Sequence, residues 1–224
     1  MIPVDELIRS RRKTFALIVQ PDGRLVVRAP LRASQAEIQR LVEKHAAWIL
    51  KKQEKARLQQ ARRPAYTYLP GDEFLYLGIR RRLEVREMKR PLLLLDGETF
   101  YLARSAQESA ASIFRAWYRA QAARFIPDRV AVLAKMYAFQ PRGVRITSAR
   151  TRWGSCGSSG SLSFTWRLMI APPEVIDYVI LHELVHLEIK NHAPAFWERV
   201  KALVPEYKER VRWLKAHASW GAGL

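Results

Sequence analysis

Residues 182–192 read His182-Glu183-Leu184-Val185-His186-Leu187-Glu188-Ile189-Lys190-Asn191-His192, and the spacing of the three histidines decides how the chain is read. On an α-helix, positions i and i+4 share one face a turn apart. The imidazoles of His182 and His186 can therefore point at one ion, at the ~2.0–2.1 Å of a zinc–nitrogen bond. Glu183 stands one step, ~100°, round the helix, so it reaches the outer side of that ion without being a ligand. His192 is the geometric test. On a continued helix it would lie about 120° off the ligand face and ~9 Å further along, and it reaches the ion only where the helix stops and the chain turns back. Lys190-Asn191 supplies the expected stop: lysine suits a helix C-terminus, and asparagine tolerates the left-handed conformation that reverses the chain. Pro194 then blocks simple continuation. Three protein ligands leave one position open for water, as in a catalytic rather than a structural zinc site. The metal lowers the pKa of that water, and the Glu183 carboxylate can take its proton.

The pattern around this stretch predicts a buried helix over about 174–190. Val175, Ile176, Val179, Ile180, Leu184 and Leu187 make most of its circumference apolar. Buried histidines need partners for both ring nitrogens; Glu188 and Glu198 are candidate acceptors near the metal, but each reads more readily as a solvated or salt-bridged residue. Upstream, 143–149 (GVRITSA) reads as a strand, followed by a glycine- and serine-rich turn and a second strand-like stretch, LSFTWRLM. Downstream, the tail from Pro194 to about His217 reads as helix, broken near Pro205. Residues 107–124 form one expected helix, and Pro127 opens another.

The first part of the chain is different in character. Residues 14–20 and 24–29 are strand-like and flank Pro21-Asp22-Gly23, a turn signal. Ser34 and Glu37 form a capping box at the start of a helix expected to run to about residue 60, with Pro64 just beyond. Short alternating stretches between 66 and 103, punctuated by Pro70-Gly71, Gly78, Pro91 and Asp96-Gly97, predict a small antiparallel sheet. The division expected is a mostly β region over 1–104 and a mostly helical region over 105–224. The fold class is α+β.

Composition narrows the chemistry. With a single cysteine, Cys156, neither an intramolecular disulfide nor a cysteine-rich zinc finger can form, and the usage fits a reducing compartment. The five histidines carry any metal site, and three of them fall within 182–192. No apolar run approaches the ~20 residues of a membrane span, and no signal-peptide pattern opens the chain. A protein of the cytoplasm is expected. The net charge of +18 leaves two readings open: affinity for nucleic acid or another polyanion through a basic surface, or a basic surface with no specific partner, since the basic residues are spread widely. Cys156 lacks an independent histidine to activate it as a nucleophile.

Arg152-Trp153-Gly154-Ser155-Cys156, then LSFTWRLMIAPPEVIDYVILHELVHL over 162–187, then Asn191-His192 with Phe196-Trp197 resemble the YgjP-like family of predicted metal-dependent hydrolases, relatives of the SprT-like and WLM metalloproteases. The resemblance extends over the chain, with the C-terminal third diagnostic. It implies a zincin-like fold, a small sheet against the active-site helix. It also implies one zinc held by His182, His186 and His192, with Glu183 as the catalytic acid/base and peptide bonds as the default substrate. The metzincin pattern has a glycine where this chain has Ile189, which argues against metzincins proper. Beside the resemblance, Gly154, Gly157 and Gly160 permit tight turns and close approach of another backbone. The strand over 161–167 could wall the cleft and pair with an extended peptide. Arg152 could stabilise an oxyanion, hold an anionic substrate or simply pack the loop. Two other readings compete with the peptidase: a metal-dependent phosphoanhydride or nucleotide hydrolase, for which no P-loop is present, and a basic nucleic-acid-binding module with a structural zinc, which would need a fourth protein ligand such as His217.

Overall fold

Three strands come first in the computed structural model, which describes residues 2–61 and 66–223. They are β1 (Glu6–Ser10), β2 (Ala16–Val19) and β3 (Leu25–Pro30). The expected turn at residues 21–23 joins β2 antiparallel to β3, with Gly23 at φ +88°. β1 was not legible in the sequence. Its residues ELIRS carry no apolar alternation and stay mostly exposed, yet they pair in parallel with β3, which becomes the central strand. Leu25, Val27 and Ala29 of β3 are fully buried with Ile38, Val42 and Ile49. The helix starting after Ser34 has its capping box. The Ser34 hydroxyl accepts the Glu37 N–H at 3.2 Å, and the Glu37 carboxylate accepts the Ser34 N–H at 2.7 Å. It is two helices rather than one, α1 (Gln35–Lys44) and α2 (Ala46–Ala61), parted at His45. Pro64, the expected stop, lies outside the described residues.

The chain divides into two compact units, Met1–Arg63 and Pro64–Leu224. The change of character expected at residue 104 falls inside the second unit, where a strand gives way to a 3-10 helix at Arg104–Ser109. In that unit β4 (Glu73–Tyr76), β5 (Ile79–Arg86), β6 (Leu93–Asp96) and β7 (Thr99–Ala103) form a sheet in the order β4-β5-β7-β6. The sheet is mixed, not antiparallel as expected. The β6–β7 hairpin inserts β7 beside β5, and those two run parallel. Its apolar face packs on α3 (Ala110–Met136) through an aromatic cluster: Phe74 stacks on Phe114 at 4.1 Å, Phe100 approaches both, and the buried Tyr118 hydroxyl donates to the Leu75 carbonyl at 2.6 Å.

α3 runs straight through Pro127, where the sequence predicts a new helix. A proline inside a helix costs about 3 kcal/mol. The buried stripe Phe114, Tyr118, Ala122, Ile126, Val130 and Leu133 keeps helical spacing across the proline, and burial of large apolar side chains at 1.5–3 kcal/mol each outweighs that cost.

The remaining strands, β8 (Gly143–Thr147), β9 (Gly154–Cys156) and β10 (Ser161–Thr165), form a sheet in the order β8-β10-β9. A fully buried 3-10 segment, Trp166–Ile170, leads into α4 (Pro173–Glu188). Proline at the first helical position costs no hydrogen bond. The Arg129 guanidinium of α3 donates to both carboxylate oxygens of Asp177 in α4 at 2.6 Å each. Beyond α4 come α5 (Pro194–Leu203) and α6 (Tyr207–Gly223), parted around Pro205 as the sequence predicts. No described helix is long and apolar enough to cross a membrane.

One turn ties the four-stranded sheet to the root of α4. Leu77 and Gly78, between β4 and β5, both have positive φ (49° and 79°). Their N–H groups donate to the carbonyls of Met169 and Ile170 at 2.8 and 3.1 Å. A Cβ on Gly78 would stand 2.6 Å from Pro172 Cγ and 3.0 Å from its Cα. Gly78→Ala therefore meets both backbone strain and an overlap with chain that cannot easily yield. It should destabilise the second unit by about 2 kcal/mol or more, read as a lower denaturation midpoint with an unchanged slope.

Candidate metal centre

α4 is buried over most of its length, and its two histidines point off one face as their i, i+4 spacing requires. His192 reaches the same point. Its Nε2 lies 3.1 Å from His182 Nε2 and 3.2 Å from His186 Nε2. All three ring nitrogens fall within 4.8 Å of one another. Nitrogens bound tetrahedrally at ~2.0–2.1 Å would be separated by roughly 3.3 Å, so the donor set fits one cation of zinc size.

The reversal that brings His192 back differs from the expectation. The helix ends at Glu188, two residues early, and Ile189 leaves it in an extended conformation (φ −124°, ψ 107°). No left-handed residue is used, since Asn191 is not among the residues with positive φ. The Asn191 side-chain oxygen instead accepts the Ala193 N–H at 3.3 Å, just before α5 begins. α5 then supplies the wall behind the rings. Phe196, fully buried, stacks on His186 at 4.5 Å, and Trp197 stacks on His192 at 5.6 Å. These contacts restrain two of the three imidazole rings.

Hydrogen bonding orients one of the rings as well. His186 Nδ1 is 3.0 Å from the Ile189 carbonyl. With the proton on Nδ1 donated to that oxygen, Nε2 carries a bare lone pair toward the centre. Glu188 and Glu198 do not share this duty, in keeping with their reading as salt-bridged or solvated residues. Glu188 pairs with Arg199 at 3.1 Å, and Glu198 lies exposed on α5. The main-chain acceptor has no signature in side-chain chemistry, so it was not visible beforehand. His182 Nδ1 is buried with no hydrogen-bond partner. Burial first, and then the neighbouring His186 and His192, push the His182 pKa down to about 4. Burial is also the leading cause that lowers His186. Neutral rings are the form that binds metal. His217, the conceivable fourth ligand, is stacked on Trp213 at 4.0 Å. Among the described residues no fourth ligand joins the three, and a structural site would want one.

Glu183 is 6% exposed and lies against β9. Burial pushes its pKa up to about 7, while a hydrogen bond from the Cys156 backbone N–H and the charge of Arg152 pull the other way. The close approach foreseen at the glycines occurs at Gly154, but the group that approaches is a side chain. A Cβ there would stand 2.7 Å from both Cγ and Oε1 of Glu183. Cys156 is half-buried near the centre, and burial raises its thiol pKa, the wrong direction for a nucleophile.

The strand expected to wall the cleft and pair with a peptide, 161–167, does not do so. β10 ends at Thr165 and lies between β8 and β9, so both its edges are occupied. Pairing with a peptide needs an edge strand, and β9 is one, although its Cys156 N–H is already donated to Glu183. Trp153 C=O and Gly157 N–H bond to β10, so by alternation the main-chain groups of Gly154 and Cys156 turn the other way.

Residues 13–217 match the YgjP-like family's metallopeptidase domain. No curated protein matches the chain. Among solved structures, the chain is similar to the metallopeptidase zymogen abylysin of Pyrococcus abyssi at 21% identity. That match covers 41% of this chain and 93% of that one, with a TM-score of 0.37, too slight a likeness to carry any argument.

Proposed function

The chain belongs to the YgjP-like metallopeptidase family, and from that premise we propose that it hydrolyses peptide bonds with one zinc ion held by Nε2 of His182, His186 and His192. The observation that carries this reading is the meeting of three imidazole nitrogens beside a buried carboxylate that titrates near neutrality. When bound, the ion supplies an acidified water and a Lewis acid for the scissile carbonyl. Glu183 takes the proton of the attacking water and returns it to the leaving amine. A base with pKa near 7 does both at neutral pH. Arg152, whose charge is felt at Glu183, is assigned to negative charge on the substrate side, either the developing oxyanion or an anionic group. An extended substrate adds to the edge of β9, where the main-chain groups of Gly154 and the Cys156 carbonyl hold it without regard to sequence.

The test is metal content by mass spectrometry together with hydrolysis of an unstructured protein such as casein. One zinc per chain, activity lost on chelation and activity restored by zinc support the proposal. A metal-loaded protein that cleaves no peptide but turns over nucleoside triphosphates overturns it.

Gly154 gives a sharper prediction. In Gly154→Ala the new Cβ occupies the space of the Glu183 carboxylate, while the three histidines are untouched. Metal content should stay at the wild-type level. kcat should fall about a hundredfold, the cost of displacing a reacting group by an ångström or so, with KM changed far less.

A further inference from the structure

The face of the β8-β10-β9 sheet turned away from α4 holds a pocket of about 240 Å³, lined among others by Arg145, Ser163, Ser155, Thr165 and Arg152. Register explains its composition. Ser163 is paired with Arg145 on one side and Ser155 on the other, and Thr165 with Thr147, so these side chains share one face. The other face carries the buried Leu162 and Phe164. No carboxylate lines the pocket. Among the described residues neither Arg145 nor Arg152 makes an ion pair, although both are exposed and nine other arginine–carboxylate pairs are formed.

We propose that this pocket is a specificity site that takes an anionic oxygen-bearing group of the substrate, with Arg145 as its selecting cation. The proposal rests on the peptidase reading for its geometry. A peptide added to the β9 edge sends alternate side chains to opposite faces of the sheet. Those on one face stand on the α4 side, where Glu183 lies. Those on the other face stand beside Ser155, at the mouth of the pocket. Arg145 is two strands back, about 10 Å from β9, a gap that its own long side chain and an acidic substrate side chain close from opposite ends. Two guanidiniums and the hydroxyls of Ser155 and Ser163 can donate to an oxyanion, while the Thr147 and Thr165 hydroxyls are already donated to the Phe164 and Ala149 carbonyls; the net positive lining suits a carboxylate or a phosphate and repels a cation.

The experiment compares internally quenched peptides that differ at one position, Asp, phosphoserine, Ala or Lys. That position is first located by mass-spectrometric profiling of cleavages in a peptide library. Wild type should prefer the anionic residue over Ala by about tenfold in kcat/KM, the size of one charge-assisted hydrogen bond. Arg145→Glu should bring that ratio to one or invert it toward Lys. Arg145→Lys should keep part of the preference. The order of Asp and phosphoserine assigns the group as carboxylate or phosphate. An acidic preference that survives in Arg145→Glu, or no acidic preference in wild type, overturns the proposal. Binding of the same peptides to Glu183→Gln, followed by anisotropy, separates this from the peptidase reading. Absent hydrolysis with preferential binding of the anionic peptides sinks the peptidase alone, and equal binding of all four sinks the pocket.

Discussion

Glu183→Gln is expected to bind as much zinc as the wild type and to lose between a hundredfold and ten-thousandfold in kcat, the range spanned by positioned general bases. Glutamine keeps the shape of the side chain, and its amide oxygen can still accept the Cys156 N–H that helps hold Glu183. It cannot take a proton. Glu183 is not one of the three clustered donors, so metal content should not move. A variant that kept its turnover would remove Glu183 from the chemistry. The same substitution has a second readout, because the carboxylate is held where its charge is costly. Its folded pKa is raised from 4.5 to about 7, chiefly by burial. In metal-free protein, stability from this group is fully present below pH 4.5 and is lost as pH rises through about 7, because the unfolded chain ionises first. Glutamine escapes that loss. Metal-free Glu183→Gln should match metal-free wild type near pH 4 and exceed it by about 3 kcal/mol near pH 8, measured by denaturant unfolding. Gain in stability and loss of turnover from one change is the signature of a group kept strained for its reactivity.

The centre was legible because its parts are close in sequence. A four-residue spacing on a helix and a ligand just beyond its end follow from helical geometry alone, and the structure brings His182, His186 and His192 together. What lay outside reach was set by contacts between distant segments. Gly154 and Glu183 are far apart in the chain, and only the docking of β9 on α4 reveals that the glycine makes room for the carboxylate. The Ile189 carbonyl was missed because a backbone acceptor leaves no trace in composition. Pairing direction escaped for a related reason: alternation marks a strand but not its neighbour, so β5 beside β7, and β1 beside β3, read as antiparallel or not at all. At Pro127 a local rule was overruled by a stripe of buried side chains, and at Asn191 a plausible left-handed stop gave way to an extended Ile189. In each case the sequence signal was local and the deciding energy was tertiary.

His192→Ala separates the metal from the fold. His182 and His186 sit on a buried helix, and replacing either would disturb packing as well as ligation. His192 is exposed, and its ring rests on Trp197 without filling a core position. Its loss should weaken zinc binding more than the 10–100-fold typical of losing a group that merely orients a ligand. Suppose free zinc is buffered at 100 times the wild-type Kd. The wild type then gains about 2.7 kcal/mol from the ion, by RT ln(1 + [L]/Kd), whereas a variant bound 100-fold more weakly gains about 0.4. The difference, about 2.3 kcal/mol, corresponds to a Tm lower by roughly 5–9 °C for a unit of this size. After chelation the two proteins should melt together, because an exposed ring supports little else. A large gap between the metal-free forms would assign His192 a packing role. A variant that held zinc as tightly as the wild type would break the three-imidazole centre on which the peptidase reading stands, since two histidines on adjacent turns bind an ion far less firmly than two joined by a third from beyond the helix end.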